Sequence, residues 1–165
     1  MREFDYNGLL LCKYQGELFE KSLKVFDCST PIFIRRFLHS DLLRTLDNND
    51  SARLTLNVID GFHILEDQYG KSQYGKKKFS SESMFWMGYL YRYISYTRDI
   101  STPLLFKLFD YKKVNELYYT YHTQNMEWCV ENLLELFNYN ENIFDKNWRL
   151  KEAMKKYYYT NNIKF

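Results

Sequence analysis

Three carboxylates recur at every fourth residue, Glu127, Glu131 and Glu135. In a helix that spacing stacks them along one side. Like charges placed so are mildly destabilising unless something basic lies opposite. The row reads as a solvated face, as an internal partner for Arg149, Lys151, Lys155 and Lys156, or as a docking face for a basic partner. Just before it, Tyr121-His122-Thr123-Gln124 forms a polar turn. That turn is either a capping element working through Thr123 or a recognition loop. The opposite charge gathers at Arg35, Arg36, His39 and Arg44, a basic side of an earlier helix. Arg92 and Arg98 stand within an aromatic, otherwise nearly uncharged run. A buried arginine there implies a satisfied ion pair, with Asp41, Asp99 and Asp110 as candidate partners, or a carbonyl-binding structural role. Anion binding is the alternative.

Other chemistries find little support. Nucleophilic catalysis needs a thiol or hydroxyl beside an oriented base. Cys129 and His122 are close in sequence, yet Cys129 sits beside Val130 and Leu133 on the apolar side of its helix, where a small buried cysteine is the common outcome. His39, His63 and His122 are far apart and fit neither HExxH nor HxH. The chain has no P-loop and no GxGxxG. No catalytic residue, metal ligand or cofactor is therefore assigned.

The elements that must position these residues are helical. Cys12, Phe19, Leu23 and Phe26, flanked by Leu11 and Leu18, fall at helical spacing and predict a helix over 9–26. Thr30-Pro31 predicts a helix start, with a hydroxyl cap and then proline at the first position. That second helix is expected to run to Leu46, with Ile34, Phe37, Leu38 and Leu42 inward. Residues 53–59 alternate and read as an extended segment or a helix lead-in. Asp60-Gly61 can cap a short helix ending near Gly70. Residues 70–81 read as a basic flexible loop. From Ser81 to Arg98 the chain is apolar nearly all round, as a central buried helix must be. Trp86, Met87, Leu90, Tyr91 and Ile94 form one face, and Phe85, Tyr89 and Tyr96 another. Arg92 and the tyrosine hydroxyls argue against a membrane span. Ser101-Thr102-Pro103 repeats the Ser29-Thr30-Pro31 start, by duplication or by independent use of one device. Helices follow at 112–121, at 126–137 with Asn125 as cap and Met126, Val130, Leu133 and Phe137 inward, and at 146–159. A loose tail is expected at 160–165.

The composition agrees with one domain, all-α and compact, of six or seven helices around the aromatic helix at 84–97, with little or no sheet. At 165 residues the chain can bury a core without staples. Its 16 tyrosines and 13 phenylalanines supply large flat side chains, through codon bias or through an exposed tyrosine patch. A net charge of +2 with signs interspersed argues against a dedicated nucleic-acid binder. Three cysteines without CxxC fit a reducing cytoplasm. The start Met1-Arg2-Glu3-Phe4-Asp5 lacks the pattern of a signal peptide.

The stretches Phe85-Trp86-Met87-Gly88-Tyr89-Leu90-Tyr91-Arg92-Tyr93-Ile94-Ser95-Tyr96-Thr97-Arg98, Leu117 to Gln124 and Glu127 to Glu135 resemble a family of small uncharacterised helical bacterial proteins. Members of that family are encoded beside an ADP-ribosyltransferase-like toxin. The resemblance runs from Phe4-Asp5-Tyr6-Asn7-Gly8 to Arg149 and implies a component of a toxin–antitoxin cassette. The expected function is a non-enzymatic protein-interaction module that neutralises such a toxin. Tyr121, His122, Gln124, Glu127, Glu131 and Glu135 are its expected contact residues. The alternative is a nucleic-acid-associated regulator using Arg35, Arg36, His39, Arg44 and the lysines of 71–78.

Overall fold

The computed structural model describes residues 2–48 and 57–137. These form eight helices and no strand: α1 (Tyr6–Val25), α2 (Thr30–Leu38), α3 (Asp41–Asp47), α4 (Val58–Tyr69), α5 (Ser81–Arg98), α6 (Thr102–Leu108), α7 (Tyr111–Tyr121) and α8 (Met126–Leu136). The expected helix at 146–159 and the tail at 160–165 lie outside the described residues. So do residues 53–56 of the alternating stretch. Its remainder is a helix lead-in: Asn57 caps α4 and makes a reciprocal capping box with Asp60.

The centre of the fold is the pair α1 and α5, and small residues set their distance. A Cβ on Gly88 would lie 2.6 Å from the Gln15 carbonyl oxygen and 3.0 Å from Phe19. One on Gly16 would meet the Phe85 ring at 3.0 Å and the Phe85 carbonyl at 3.1 Å. The helices therefore touch backbone to backbone, and Gln15 Nε2 donates to the Gly88 carbonyl across the contact at 3.0 Å. Around this pair lies one core, filled from α1 by Leu11, Leu18 and Phe19, from α2 by Phe33 and Phe37, and from α5 by Trp86, Leu90 and Ile94. Phe19 meets both Phe33 and Phe37 edge-on at 5.2 and 5.0 Å. Tyr91 stacks on Phe106 at 3.7 Å, and its hydroxyl donates to the Phe109 carbonyl.

The expected second helix is two helices. Ser40 ends α2 and begins α3, because its hydroxyl donates to the Phe37 carbonyl at 2.7 Å and accepts from the Leu43 amide at 3.1 Å. A side chain that serves both ends competes with the continuous ladder. The two Thr-Pro starts also differ from the expected cap. Ser29 and Ser101 are the caps, without a side-chain capping bond, and the threonines are the first helical residues. Each threonine ties its helix to a remote segment. The Thr30 amide donates to the Lys77 carbonyl at 2.9 Å, and the Thr30 hydroxyl accepts from the Phe79 amide at 3.1 Å. Thr102 binds Asp47 instead, through its amide at 2.9 Å and its hydroxyl at 2.7 Å.

The segment at 70–80, expected as a flexible basic loop, is tied down at several points. Lys78 Nζ donates to the carbonyls of Leu23 and Phe26 at 2.6 and 2.8 Å. It thus completes the C-terminal end of α1, where a cation is favoured. The Ser29 amide donates to the Tyr74 carbonyl at 3.0 Å. Gly75, at φ +77°, lies so close to Ser29 that a Cβ there would come within 2.5 Å of its hydroxyl.

Candidate functional site

Asn125 starts α8 as its sequence implies, accepting from the Trp128 amide at 2.8 Å. The helix turns Cys129, Val130 and Leu133 into the core. Glu127, Glu131 and Glu135 face outward, and none of the three is in an ion pair among the described residues. Met126 and Phe137, expected inward, are half-buried.

The 121–124 turn divides. His122 and Gln124 are exposed, but Tyr121 is buried. The Tyr121 carbonyl accepts from the Cys129 thiol at 3.3 Å and from the Gln124 amide at 2.9 Å, while its ring meets Trp128 edge-on at 5.2 Å. Tyr121 is therefore the hinge pin between α7 and α8 and is no surface anchor. Burial raises the Cys129 thiol above its ordinary value, so it rests protonated as a donor.

The aromatic groups that do reach solvent here are Tyr119, 78% exposed, and Trp128, 38% exposed. The His122 ring stacks on Tyr118 at 4.6 Å, and its Nδ1 lies 2.9 Å from the Tyr118 carbonyl. Tyr118 meets Tyr119 and Trp86 edge-on at 5.3 and 5.8 Å. An aromatic ledge thus runs from the buried α5 to the surface. Burial, then the neighbouring Glu82 carboxylate, raises the Tyr118 phenol. Tyr93 is raised in the same way, with Glu127 as its charged neighbour. Tyr119 and Trp128 were not singled out from the sequence. The signal for Trp128 was its place one residue after Glu127, which fixes it on the edge of the acidic row.

The alternative basic face does not act as one surface. Arg36 caps α4, donating from Nη1 to the Gly70 carbonyl at 2.8 Å and from Nη2 to the Tyr69 carbonyl at 3.4 Å. Arg44 pairs with Asp41 at 2.6 Å. Arg35 and His39 remain exposed. Partial desolvation of the ring, then the nearby charges of Arg35 and Lys107, lowers the His39 imidazole below its ordinary value, which favours the neutral ring.

Arg92 is fully buried, and its partner is Asp47, not Asp41, Asp99 or Asp110. Its Nη1 donates to Asp47 Oδ1 at 2.9 Å and to the Leu46 carbonyl at 3.1 Å, and its Nε donates to Gln15 Oε1 at 2.9 Å. Asp41 is engaged with Arg44, and Asp110 caps α7 through the Lys112 amide at 3.1 Å. The end of α3 lies against the middle of α5, a placement set by tertiary packing and absent from local spacing. Both structural roles expected of a buried arginine are present together, ion pair and carbonyl binding.

Among the described residues no group of three or more His, Cys, Asp or Glu could hold a metal ion, and no helix is long and apolar enough to cross a membrane. The chain matches no protein-family model, no curated protein and no solved structure.

Proposed function

We propose that the protein is a non-enzymatic interaction module, antitoxin-like, that binds and neutralises an ADP-ribosyltransferase-like toxin by burying surface on it. One observation carries the binding role: at the α7–α8 corner exposed aromatics lie beside three carboxylates that have no ion-pair partner among the described residues. Aromatic side chains are the usual anchors of protein interfaces, and rim charges steer the encounter. A site that handles NAD must tolerate phosphate and is often ringed by basic groups, so the sign of charge suits such a partner. The toxin assignment itself rests on the sequence resemblance. The nucleic-acid reading loses support, because Arg36, Arg44 and Lys78 are each engaged within the fold.

The test is coexpression with an ADP-ribosyltransferase-like toxin, sought first in the neighbouring genes, where the resemblance places it. Growth should be restored, and the two chains should elute together. A Glu131→Lys/Glu135→Lys variant should associate more slowly and with weaker salt dependence. Absence of both protection and complex would overturn the proposal.

A further inference from the structure

Two of the larger side chains of α8 stay outside the core. Trp128 and Leu136 are 38% and 53% exposed. They stand on one side of the helix, two turns and about 12 Å apart. Asn132 lies between them, and its Nδ2 is folded back onto the Trp128 carbonyl at 2.9 Å. The polar group is thereby drawn toward the backbone, and the two apolar groups flank it. The Trp128 ring rests edge-on against buried Tyr121, which holds it in place. Glu127, Glu131 and Glu135 run parallel to this row, one residue earlier at each turn.

We propose that the exposed half of α8 seats a basic amphipathic helix of the partner protein, with Trp128 and Leu136 as its apolar anchors. This rests on the protein-binding reading above and specifies what the partner presents. The spacing selects a helix. Apolar side chains one or two turns apart on the partner meet anchors two turns apart here, as in helix-in-groove recognition. An extended strand would need an open sheet edge for its backbone groups, and α8 satisfies its own. The charge selects the flank. Carboxylates without an ion-pair partner along one margin favour lysine or arginine on the facing margin and disfavour acidic sequences.

The probe is a synthetic peptide of about 18 residues, some 27 Å as a helix. It carries leucines at helical spacing and lysines elsewhere. One control has the same composition in scrambled order, and another has glutamate in place of lysine. Titrated into the full-length, isotope-labelled protein, the amphipathic lysine peptide should shift amide resonances of α8 and the end of α7. It should bind roughly tenfold or more tightly than the scrambled peptide, and the glutamate peptide should not bind. Trp128→Ala and Leu136→Ser should each weaken binding several-fold. Leu136→Ser should leave the melting temperature nearly unchanged, whereas Trp128→Ala, which uncovers Tyr121, should lower it and is compared at a temperature where the variant is folded. Glu131→Lys/Glu135→Lys should weaken it at low salt and much less at about 1 M salt, where charges are screened beyond about 3 Å.

Equal binding by the scrambled peptide would reduce the site to undirected charge and overturn the proposal. So would shifts located elsewhere, or full affinity in both anchor variants. A photocrosslinker placed at Trp128 that captures the protein's own chain would also overturn it, because the face would then be taken from within. The toxin-like partner separates the two proposals. If it binds wild type and Trp128→Ala equally, the helix seat fails and the interaction module stands. If it does not bind at all, the toxin assignment fails and the peptide titration still decides the seat.

Discussion

Asp47, at the end of α3, makes three hydrogen bonds with one carboxylate: to the guanidinium of Arg92 in α5, and to both the amide and the hydroxyl of Thr102 at the start of α6. It sits in a run, Thr45-Leu46-Asp47-Asn48, that reads locally as a helix end running into a loop, so nothing in the spacing marked it. Removing one member of a buried pair leaves the other charged and desolvated. Asp47→Ala should therefore cost about 3–5 kcal/mol in urea denaturation, and a loss under about 1 kcal/mol would mean that the pair is not holding the fold. Tyr121 and His122 should separate in the same assay. Tyr121→Ala removes a buried ring and should cost roughly 3 kcal/mol or more, near the aromatic-to-alanine range. His122→Ala removes an exposed ring and should stay within about 1 kcal/mol of wild type. The expected surface anchor at Tyr121 was a misreading of depth. Sequence placed it at the end of a helix but could not show that Trp128, one turn into the next helix, would cover it.

At the scale of elements, close approach and capping decide. Gly88→Ala poses two opposed effects. Alanine is the better helix former by about 1 kcal/mol. Its Cβ, however, would press on the Gln15 carbonyl at 2.6 Å, and a backbone atom inside a helix cannot step aside. Overpacking of that kind typically costs about 1–3 kcal/mol, so the variant should be destabilised overall; an increase in melting temperature would show that α1 and α5 can part freely. The start of α1 supplies a pH dependence. Asp5 caps the helix through the Gly8 amide at 2.9 Å and accepts the Tyr96 hydroxyl at 2.6 Å. Those bonds, the tyrosine first, hold its carboxyl below the ordinary value of 3.8. A carboxyl depressed in the folded state contributes stability above its unfolded value, and that contribution is lost as the pH falls through the folded one. Asn at position 5 keeps a cap but not the charge. The gap in melting temperature between wild type and Asp5→Asn should be largest near neutrality and close as the pH drops below 3.8. A gap that is constant with pH would exclude the carboxylate as its source.

For the whole molecule, the all-helical architecture and the central place of α5 were legible in the sequence, because a helix apolar on nearly every side has only one place to go. α7 and α8 appeared within a residue of their expected bounds; Asn125 is a local signal for α8, while Asp110, expected as an arginine partner, is the cap of α7. What was hidden is tertiary. The break at Ser40 depends on a hydroxyl that serves two helix ends, and serine is common inside helices as well. Gln15, Gly16 and Gly88 matter only because α1 crosses α5 at those residues. Lys78, written among three consecutive lysines, is distinguished from its neighbours only by the end of α1 lying within its reach. The candidate site was half legible: periodicity gave the acidic row, while exposure, which decides whether Trp128 or Tyr121 meets a partner, is a property of the assembled core.

The threonines that open α2 and α6 also bear on how the molecule breathes. The first amides of a helix have no intrahelical acceptor and ordinarily trade their protons with water soonest. Here the Thr30 amide is held by the Lys77 carbonyl, and the Thr102 amide, fully out of solvent, by Asp47. In deuterium exchange these leading positions should be among the slowest of their helices, and Thr102 should open only with the event that also frees the end of α3. Rapid, independent exchange at Thr102 would show that the two helices part locally. Slow, shared exchange would make α3, α5 and α6 one cooperative unit, although Asp47 and Thr102 are 55 positions apart in the sequence.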